Sequence, residues 1–342
     1  MKNNILIIMP RFNGYEKILE AEACKQYDFV HTIFYDEMVF FSLKKMPIFA
    51  KGIIYFVQCL ISGNPHENKW FIKLRDFFLS LYAFPKFNKW ISSKINPNLI
   101  YDSVVVIKGY GVSEKLIKSI STRHKSFYQW DNIVHFPSTL VFSRFFDAVY
   151  SFDKTDAEAM GWLFLPNFYL SHVHEFQSKS NDFFFVGVYS ELRFEVLTDL
   201  VSWCSSNEYT YFIKLYAPCL QESDLITNEK VSKEKYNEMF KQSKYIVEIT
   251  KNEQDGYSQR YLEALDNRSL FVVASAPNHV SDEGRLFSLL EFKLKERVEI
   301  DVLLESELSE TEEKLLRICD VSNWLKILSG DKGAIYFQNY TK

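Results

Sequence analysis

The sequence predicts an α/β protein with two Rossmann-like domains facing a central cleft. Three observations support this: a length of 342 residues, apolar runs that alternate with helical patterns in both halves, and a polar break between the halves. At roughly 100–200 residues per domain, the length corresponds to two domains. Apolar runs that alternate with helices are typical of parallel sheets covered on both faces.

The first half opens with a continuous apolar run at 4–9 that ends at a proline. A helical pattern at 16–25 separates it from the next strand, which predicts the β-α-β start of a doubly wound sheet. A long helical region rich in Phe, Trp and Lys covers 38–95. The predicted strands of this half are 4–9, 29–35, 103–107, 125–130, 148–152 and 162–166.

The second half repeats the α/β pattern after a polar stretch without periodicity, which predicts a linker. Its predicted strands are 182–188, 209–215, 245–249 and 270–274, its predicted helices are 191–204 and 258–265, and helices over 309–329 close the chain. The predicted organisation is an N-terminal domain at 1–169, a linker at 170–181, a C-terminal domain at 182–312, and helices at 313–342 that pack toward the N-terminal domain.

Composition excludes several classes of protein. Hydrophobic residues make up 47% and charged residues 25%, so a disordered chain, a collagen or a coiled coil is excluded. The net charge of −4 argues against a nucleic-acid partner. Five cysteines without CxxC spacing indicate a reducing compartment. Because no secretory signal is evident, the expected location is the cytoplasm.

The N-terminal half is basic, with 20 Lys and Arg against 15 Asp and Glu in residues 1–170. Its apolar run at 46–61 is shorter than the ~20 residues needed to cross a bilayer. Lys51 lies within this run, and lysines alternate with aromatic residues further on, at 69–90, which predicts peripheral contact with the anionic inner face of the cytoplasmic membrane. The alternative is that these aromatics fill the core. The residues concerned are Lys51, Lys69, Trp70, Phe71, Lys73, Phe77, Phe78, Lys86, Phe87, Lys89 and Trp90.

The strongest local motif lies at 254–263, where a predicted strand gives way to a helix. Gly256 permits close backbone approach, and Ser258 is a candidate N-cap. The free amides of such a helix start suit a diphosphate. Arg260 adds a positive charge, and Glu263 can accept hydrogen bonds from a ribose. The alternative is an ordinary capped helix.

Two more features of the second half suit an anionic ligand. Gly187 ends a predicted buried strand, and Arg193 follows in the next helix. Lys214 interrupts an apolar strand, where an unpaired charge is rare. The alternatives are an arginine on a solvated helix face and a lysine at an exposed strand end.

In the first half, the polar side chains at strand ends are candidates for catalysis. Asp131 follows the strand at 125–130 and is a candidate general base, and Trp130 stands beside it as a further candidate. A turn-forming aspartate is the alternative. Residues 108–111 hold two glycines of a dinucleotide fingerprint but lack the third, which indicates a tight turn. The weaker candidates at this edge are Gly14, Tyr15, Asp36 and Glu37.

No metal site is expected. His172 and His174 have no third ligand nearby in the sequence, and no Asp-x-Asp pair occurs. Neither a P-loop motif nor a Gly-x-Ser-x-Gly motif is present, which disfavours P-loop and α/β-hydrolase chemistry.

Several short motifs follow one another in order along the chain. In the first half they are an aromatic loop with Tyr-Glu-Lys (12–17), Tyr-Asp-Glu (35–37), a strand ending in Gly-x-Gly (104–111), Tyr-x-Trp-Asp (128–131), Ser-Phe-Asp-x-x-Asp-Ala (151–157) and Leu-Pro-x-Phe-Tyr (165–169). In the second half they are Phe-Val-Gly with a following Arg (185–193), Gln-x-Gly-x-Ser-x-Arg-x-x-Glu-Ala-Leu (254–265) and Trp-Leu (324–325). Their order and spacing resemble those of bacterial GT-B glycosyltransferases of surface-polysaccharide assembly. Tyr257 and Ser258 replace the usual Leu and Thr, and Asn267-Arg-Ser269 is a weaker match to the usual Gly-Lys-Lys.

The resemblance implies a nucleotide sugar as donor in the C-terminal domain and a glycan or lipid-linked glycan as acceptor in the N-terminal domain. It assigns the diphosphate to Gly256, Ser258 and Arg260, and the ribose to Glu263. Asp255 stands eight residues before Glu263, as the paired acids do in many retaining GT-B enzymes, but the match leaves the stereochemistry open. The residues expected to bind the donor are Gly187, Arg193, Lys214, Gln254, Gly256, Ser258, Arg260 and Glu263.

The sequence therefore predicts a metal-independent glycosyltransferase that needs no cofactor and extends a lipopolysaccharide, O-antigen or capsule glycan. Two alternatives are a sugar-nucleotide epimerase of the same fold and a catalytically degenerate scaffold in a polysaccharide assembly complex. Formation of an isomer from nucleotide sugar alone would identify the epimerase, and absence of nucleotide-sugar binding would identify the scaffold.

Overall fold

The computed structural model describes residues 3–12, 14–42, 46–61, 68–136, 139–169, 179–218, 220–249, 259–273 and 309–336. The chain divides into two compact units. The first consists mainly of Met1–Phe168 and Arg317–Lys342, and the second mainly of Tyr169–Gln254 and Ser258–Leu316.

The first unit contains a parallel sheet of six strands in the order β2-β1-β3-β4-β5-β6. The strands are β1 (Asn4–Pro10), β2 (Phe29–Tyr35), β3 (Tyr101–Ile107), β4 (Thr122–Gln129), β5 (Ala148–Ser151) and β6 (Leu163–Phe164). The strand order reverses between β1 and β3, and in open α/β sheets ligands bind beyond the carboxyl ends of the strands at this point.

Helices cover the sheet of the first unit. They are α1 (Tyr15–Gln26), α2 (Glu37–Phe40), α3 (Ile48–Leu60), α4 (Lys69–Tyr82), α5 (Phe84–Lys94), α6 (Glu114–Ser119), α7 (Thr139–Ser143) and α8 (Lys154–Met160), with a 3₁₀ turn at Ile133–His135. One core cluster lies between the sheet and α5 and α6, where Leu6, Val104 and Phe127 are almost completely buried. The apolar runs of the sequence are the strands that supply this core.

The second unit contains a parallel sheet in the order β11-β10-β7-β8-β9. Its elements are β7 (Asn181–Val188), α9 (Glu191–Ser206), β8 (Tyr211–Tyr216), β9 (Ile226–Thr227), α10 (Lys233–Lys241), β10 (Ser243–Glu248), α11 (Gln259–Asp266) and β11 (Leu270–Val273). If β7 is counted as strand 1 of this unit, the order is 3-2-1-4-5, as in the classic Rossmann fold, and it reverses between β7 and β10.

Two helices end the described chain, α12 (Glu310–Cys319) and α13 (Val321–Ser329). Helix α13 packs on the sheet of the first unit. Trp324 is completely buried, its ring centroid lies 4.7 Å from that of Tyr128, and its indole NH donates to the Pro166 carbonyl at 2.9 Å.

These two parallel sheets confirm the predicted α/β class with two Rossmann-like domains. β2 has the predicted bounds, whereas β7 begins at Asn181, so the strand includes the last residue of the predicted linker. Of the rest of that linker, residues 170–178 lie outside the described residues. Helix α10 was not predicted, because Phe240 is its one fully buried residue and its pattern is mostly charged.

Within the parts of the chain that the structure describes, no helix combines the length and the apolar character that a bilayer crossing requires.

Candidate active site

The carboxyl end of β7 brings two arginines of the second unit together on one aromatic ring. The guanidinium carbon of Arg260 lies 4.8 Å from the ring centroid of Phe185, and that of Arg193 lies 5.7 Å from it. Phe185 itself is completely buried. Both predicted arginines are therefore at the switch point of this sheet, the position at which a phosphate-containing ligand is expected.

Gly187 allows this ring to lie against the strand. A Cβ added to Gly187 would come within 2.9 Å of the Phe185 ring and 3.6 Å of an Arg193 Nη1. Any larger residue would displace the ring that carries both guanidinium groups. The glycine predicted to admit a ligand thus also makes room for these side chains.

Arg260 is fixed by hydrogen bonds to two strands. Its Nη1 donates to Glu248 Oε2 at 3.0 Å, and its Nη2 donates to the Val186 carbonyl at 2.9 Å. Burial opposes its charge, but Glu248 and Tyr236 outweigh this effect and raise the pKa of Arg260. Burial also raises the pKa of Tyr236, which hydrogen-bonds Arg260, to about 12. Arg260 therefore stays charged in a largely buried position.

Arg193 has a different environment. Ser190 caps α9, and Arg193 Nη1 donates to the Val188 carbonyl at 3.1 Å. Among the described residues, no carboxylate forms an ion pair with its guanidinium. Burial and, to a smaller extent, the charge of Arg260 lower the pKa of Arg193. An anion bound here would relieve this unfavourable electrostatic environment.

The other residues predicted to bind the donor are Lys214, Glu263 and the segment at 254–258. Lys214 lies on β8, and its ammonium donates to the Asp224 carbonyl at 2.7 Å. Glu263 lies on α11, and its charge acts on both Tyr236 and Arg260. Gln254, Gly256 and Ser258 lie outside the described residues.

The carboxyl edge of the first sheet holds a group of three charges around Lys108, directly after β3. The Lys108 ammonium donates to Glu37 Oε2 at 2.8 Å and lies 2.9 Å from Asp131 Oδ2. Burial opposes its charge, but the two carboxylates outweigh this and raise the pKa of Lys108. The predicted base Asp131 and the weaker candidate Glu37 are thereby brought together by a residue that was predicted only to form a turn.

Aromatic rings lie beside this charged group. Trp130 contacts Phe12, Tyr15 and Phe168, with ring centroids 5.8–6.3 Å apart. Gly14 adopts a left-handed conformation, with φ of 84°, at the start of α1. Half of the Phe12 surface is exposed, so this cluster offers an aromatic face on which a sugar ring can stack.

Asp36 has a local structural role. Its carboxylate accepts a hydrogen bond from the Met38 amide at 2.8 Å and caps α2. This cap sets the first turn of α2, in which Glu37 points to Lys108.

Sequence reasoning missed four residues of these sites. Phe185, Glu248 and Tyr236 hold the arginines, and Lys108 joins the carboxylates of the first unit. Two local signals were available, a carboxylate at the carboxyl end of a predicted strand and a charged residue at the start of a tight turn. Neither signal identifies a partner that is distant in the sequence.

Comparisons with known proteins return structural matches only. No family model and no curated protein matches the sequence. A glycotransferase of kitacinnamycin has 9% identity and a TM-score of 0.49, with 97% of this chain and 99% of that chain covered. MurG of Acinetobacter baumannii has 9% identity and a TM-score of 0.44, with 96% of this chain and 100% of that chain covered. A UDP-N-acetylglucosamine 2-epimerase has 10% identity and a TM-score of 0.45, with 93% of this chain and 95% of that chain covered.

Proposed function

We propose that the protein is a metal-independent GT-B glycosyltransferase that moves a sugar from a nucleotide-sugar donor to a growing cell-surface glycan, such as a lipopolysaccharide, O-antigen or capsule. The observation that carries the proposal is the pair of guanidinium groups over Phe185 at the switch point of the second sheet. Guanidinium groups suit phosphate oxygens because their N–H groups match them in charge and geometry. A diphosphate is the ligand that such a pair fits best.

The charges at this site support a metal-independent reaction. Glu248 forms an ion pair with Arg260, whereas Arg193 forms no ion pair among the described residues and its pKa stays lowered although the charge of Glu248 favours its charged form. The diphosphate that departs from a nucleotide sugar carries negative charge, and fixed cations can stabilise it without a divalent metal. We assign this task to Arg193 and Arg260, with Lys214 as a further cation.

The remaining donor contacts follow from the helix that carries Arg260. We propose that Glu263 accepts hydrogen bonds from the ribose, and that the segment with Gln254, Gly256 and Ser258 contacts the diphosphate. The motif at these positions and its resemblance to GT-B enzymes support this assignment.

On the acceptor side, we propose Asp131 as the base of an inverting displacement. Asp131 takes the proton of the acceptor hydroxyl while the acceptor oxygen bonds to the anomeric carbon of the donor. The bond between that carbon and the diphosphate breaks, and its electron pair leaves on the phosphate oxygen. Trp130, Tyr15 and Phe12 would hold the acceptor sugar by stacking.

We also propose that the first unit contacts an anionic membrane, in line with a lipid-linked acceptor. Helices α3 and α4 pack on one core, yet both leave large apolar side chains in solvent. Ile48 is 87% exposed, Leu60 67% and Trp70 61%. From α3 to the end of α5 the chain is basic, and each lysine near an anionic surface contributes about 1 kcal/mol. The exposed apolar side chains are Ile48, Phe49, Ile53, Phe56, Leu60, Trp70, Phe77 and Leu81.

Vesicle co-sedimentation tests the membrane contact. The wild type should bind phosphatidylglycerol vesicles at low salt, and binding should decrease as salt is raised. The double variant Ile48→Glu, Phe56→Glu should lose it. Ile100→Glu, which replaces another exposed apolar residue of this unit, should not. No wild-type binding at low salt would contradict the contact.

The reaction is tested by incubation with UDP-, GDP- and dTDP-sugars, with and without a lipid-linked glycan fraction. A transferase releases nucleoside diphosphate and lengthens the glycan in an acceptor-dependent manner. An isomeric nucleotide sugar formed without acceptor would show the epimerase instead. Nucleotide binding without turnover of any donor would contradict the transferase.

A further inference from the structure

Lys108 has a backbone conformation that non-glycine residues rarely adopt. Its φ is 63°, and Gly109 follows with a φ of 56°. The turn is held by hydrogen bonds from the Lys108 amide to the Tyr128 carbonyl at 2.8 Å and from the Gly109 amide to the Ile107 carbonyl at 2.7 Å. A left-handed lysine is unfavourable, and such conformations persist where the surrounding contacts compensate them.

The side-chain contacts of Lys108 converge on its ammonium group. Besides Glu37 and Asp131, the Lys108 ammonium lies 4.6 Å from the ring centroid of Phe136. The Lys108 side chain is only 15% exposed, compared with 28% for Glu37 and 36% for Asp131. The ammonium is thus held by α2 and by the segment that follows β4, and Asp131 is the more exposed of its two carboxylate partners.

We propose that Lys108 and Glu37 form a positioning pair that fixes the Asp131 carboxylate and balances its charge during proton transfer. This proposal rests on the proposed role of Asp131 as a base. Before transfer, one ammonium faces two carboxylates. After Asp131 has taken the acceptor proton, the ammonium of Lys108 and the carboxylate of Glu37 remain as a neutral pair.

The charge balance explains why two carboxylates share one ammonium. If Asp131 were the only partner of Lys108, its protonation would leave a largely buried ammonium unpaired, which is costly. Glu37 removes this cost because it keeps the ammonium paired in both states. Lys108 and Glu37 are positioning residues, since they act on the substrate through Asp131.

The other titratable groups that face this cluster do not supply the same balance. Burial, followed by the charges of Glu37 and Asp131, raises the pKa of Tyr35, so its buried hydroxyl stays neutral. Asp156 of α8 accepts a hydrogen bond from the Ile133 amide at 2.8 Å, so it holds the backbone after Asp131. The charge balance therefore depends on Lys108, Glu37 and Asp131.

The first test needs no substrate. Carbon-13 NMR of protein labelled at the aspartate side-chain carboxyl, with Asp131→Asn to assign the signal, follows the Asp131 titration directly. In Lys108→Met two carboxylates remain together, so the titration midpoint should rise by about 1 pH unit or more. In Glu37→Gln the Lys108 ammonium pairs with Asp131 alone, so the titration midpoint of Asp131 should fall. Midpoints equal to that of the wild type in both variants would overturn the proposal.

The second test uses the pH dependence of kcat/KM for the donor identified in the turnover panel. The acid limb should move to higher pH in Lys108→Met and to lower pH in Glu37→Gln, and Lys108→Arg should restore most of the activity. Lys118→Met, on the exposed part of α6, is the matched control and should leave the profile unchanged. NMR shifts without any change in the pH profile would overturn the positioning role.

The two tests separate failure of this inference from failure of the proposed function. If no donor is turned over by the wild type, the transferase is contradicted while the NMR titration still decides the charge coupling. If Lys108→Met does not fold, Glu37→Gln and Lys108→Arg provide the comparison, because both retain side chains of similar size.

Discussion

Replacement of Arg193 by Met should weaken the binding of a nucleoside diphosphate without weakening the fold. In the free protein the guanidinium is unfavourably placed, because burial and the neighbouring Arg260 lower the pKa of Arg193. Methionine keeps an unbranched side chain but loses the guanidinium contact with the Phe185 ring and the hydrogen bond to the Val188 carbonyl. The variant should therefore unfold with a free energy within about 1 kcal/mol of the wild type.

The effect on the ligand is larger. A hydrogen bond to a charged group contributes about 1.5–3 kcal/mol, so loss of the contact between Arg193 and the diphosphate should raise Kd about 10- to 150-fold. Isothermal titration calorimetry with UDP, GDP and dTDP measures this change, and urea unfolding measures the stability of the same samples.

Arg123→Met is the matched control, because Arg123 is an exposed residue of the first unit that pairs with Asp102 at 3.0 Å. It should leave Kd unchanged. A Kd of Arg193→Met within about twofold of the wild type, a difference of well under 1 kcal/mol, would remove Arg193 from the donor site. A loss of several kcal/mol in unfolding free energy would instead make it a structural residue.

Three further predictions concern the same two sites. Asp131→Asn should lower kcat by about 10²-fold or more with unchanged nucleotide affinity, whereas a near-normal kcat would leave Asp131 only its ion pair with Lys108. Turnover should survive EDTA, and a loss restored by magnesium or manganese would contradict the metal-independent reaction. Arg260→Met should cost about 3–5 kcal/mol of unfolding free energy, because it removes one partner of a largely buried ion pair with Glu248. Adding Glu248→Gln should recover part of this loss, and a strictly additive double variant would show that the two residues are not coupled.

The fold was predictable because its strands are local features of the sequence. The run Ile5–Met9 of β1 is apolar and completely buried, and Pro10 marks where it ends. Helix α10 escaped prediction although Tyr236, Met239 and Phe240 follow helical spacing, because most of its other positions are charged and face solvent. Burial thus determines which elements the sequence reveals.

The partners within each site were not predictable in the same way. Arg260 was identified from its place at a helix start, but its contacts with Glu248 and the Val186 carbonyl span 12 and 74 positions of the chain. Lys108 pairs with Glu37 across 71 positions. Such pairs follow from which strands end side by side, and the strand order is a property of the fold. Strand-end position therefore identifies candidate residues but does not tell which of them interact.

The most direct test of the donor site is a thermal-shift panel of nucleotides and nucleotide sugars on the wild-type protein. A ligand that binds only the folded state raises the apparent stability, by about 2.7 kcal/mol at a hundredfold excess over Kd. The diphosphate site predicts a concentration-dependent rise with the nucleoside diphosphates and nucleotide sugars of at least one base, retained in EDTA and reduced in Arg193→Met. A panel in which no nucleotide or nucleotide sugar changes the unfolding temperature would contradict the proposed function.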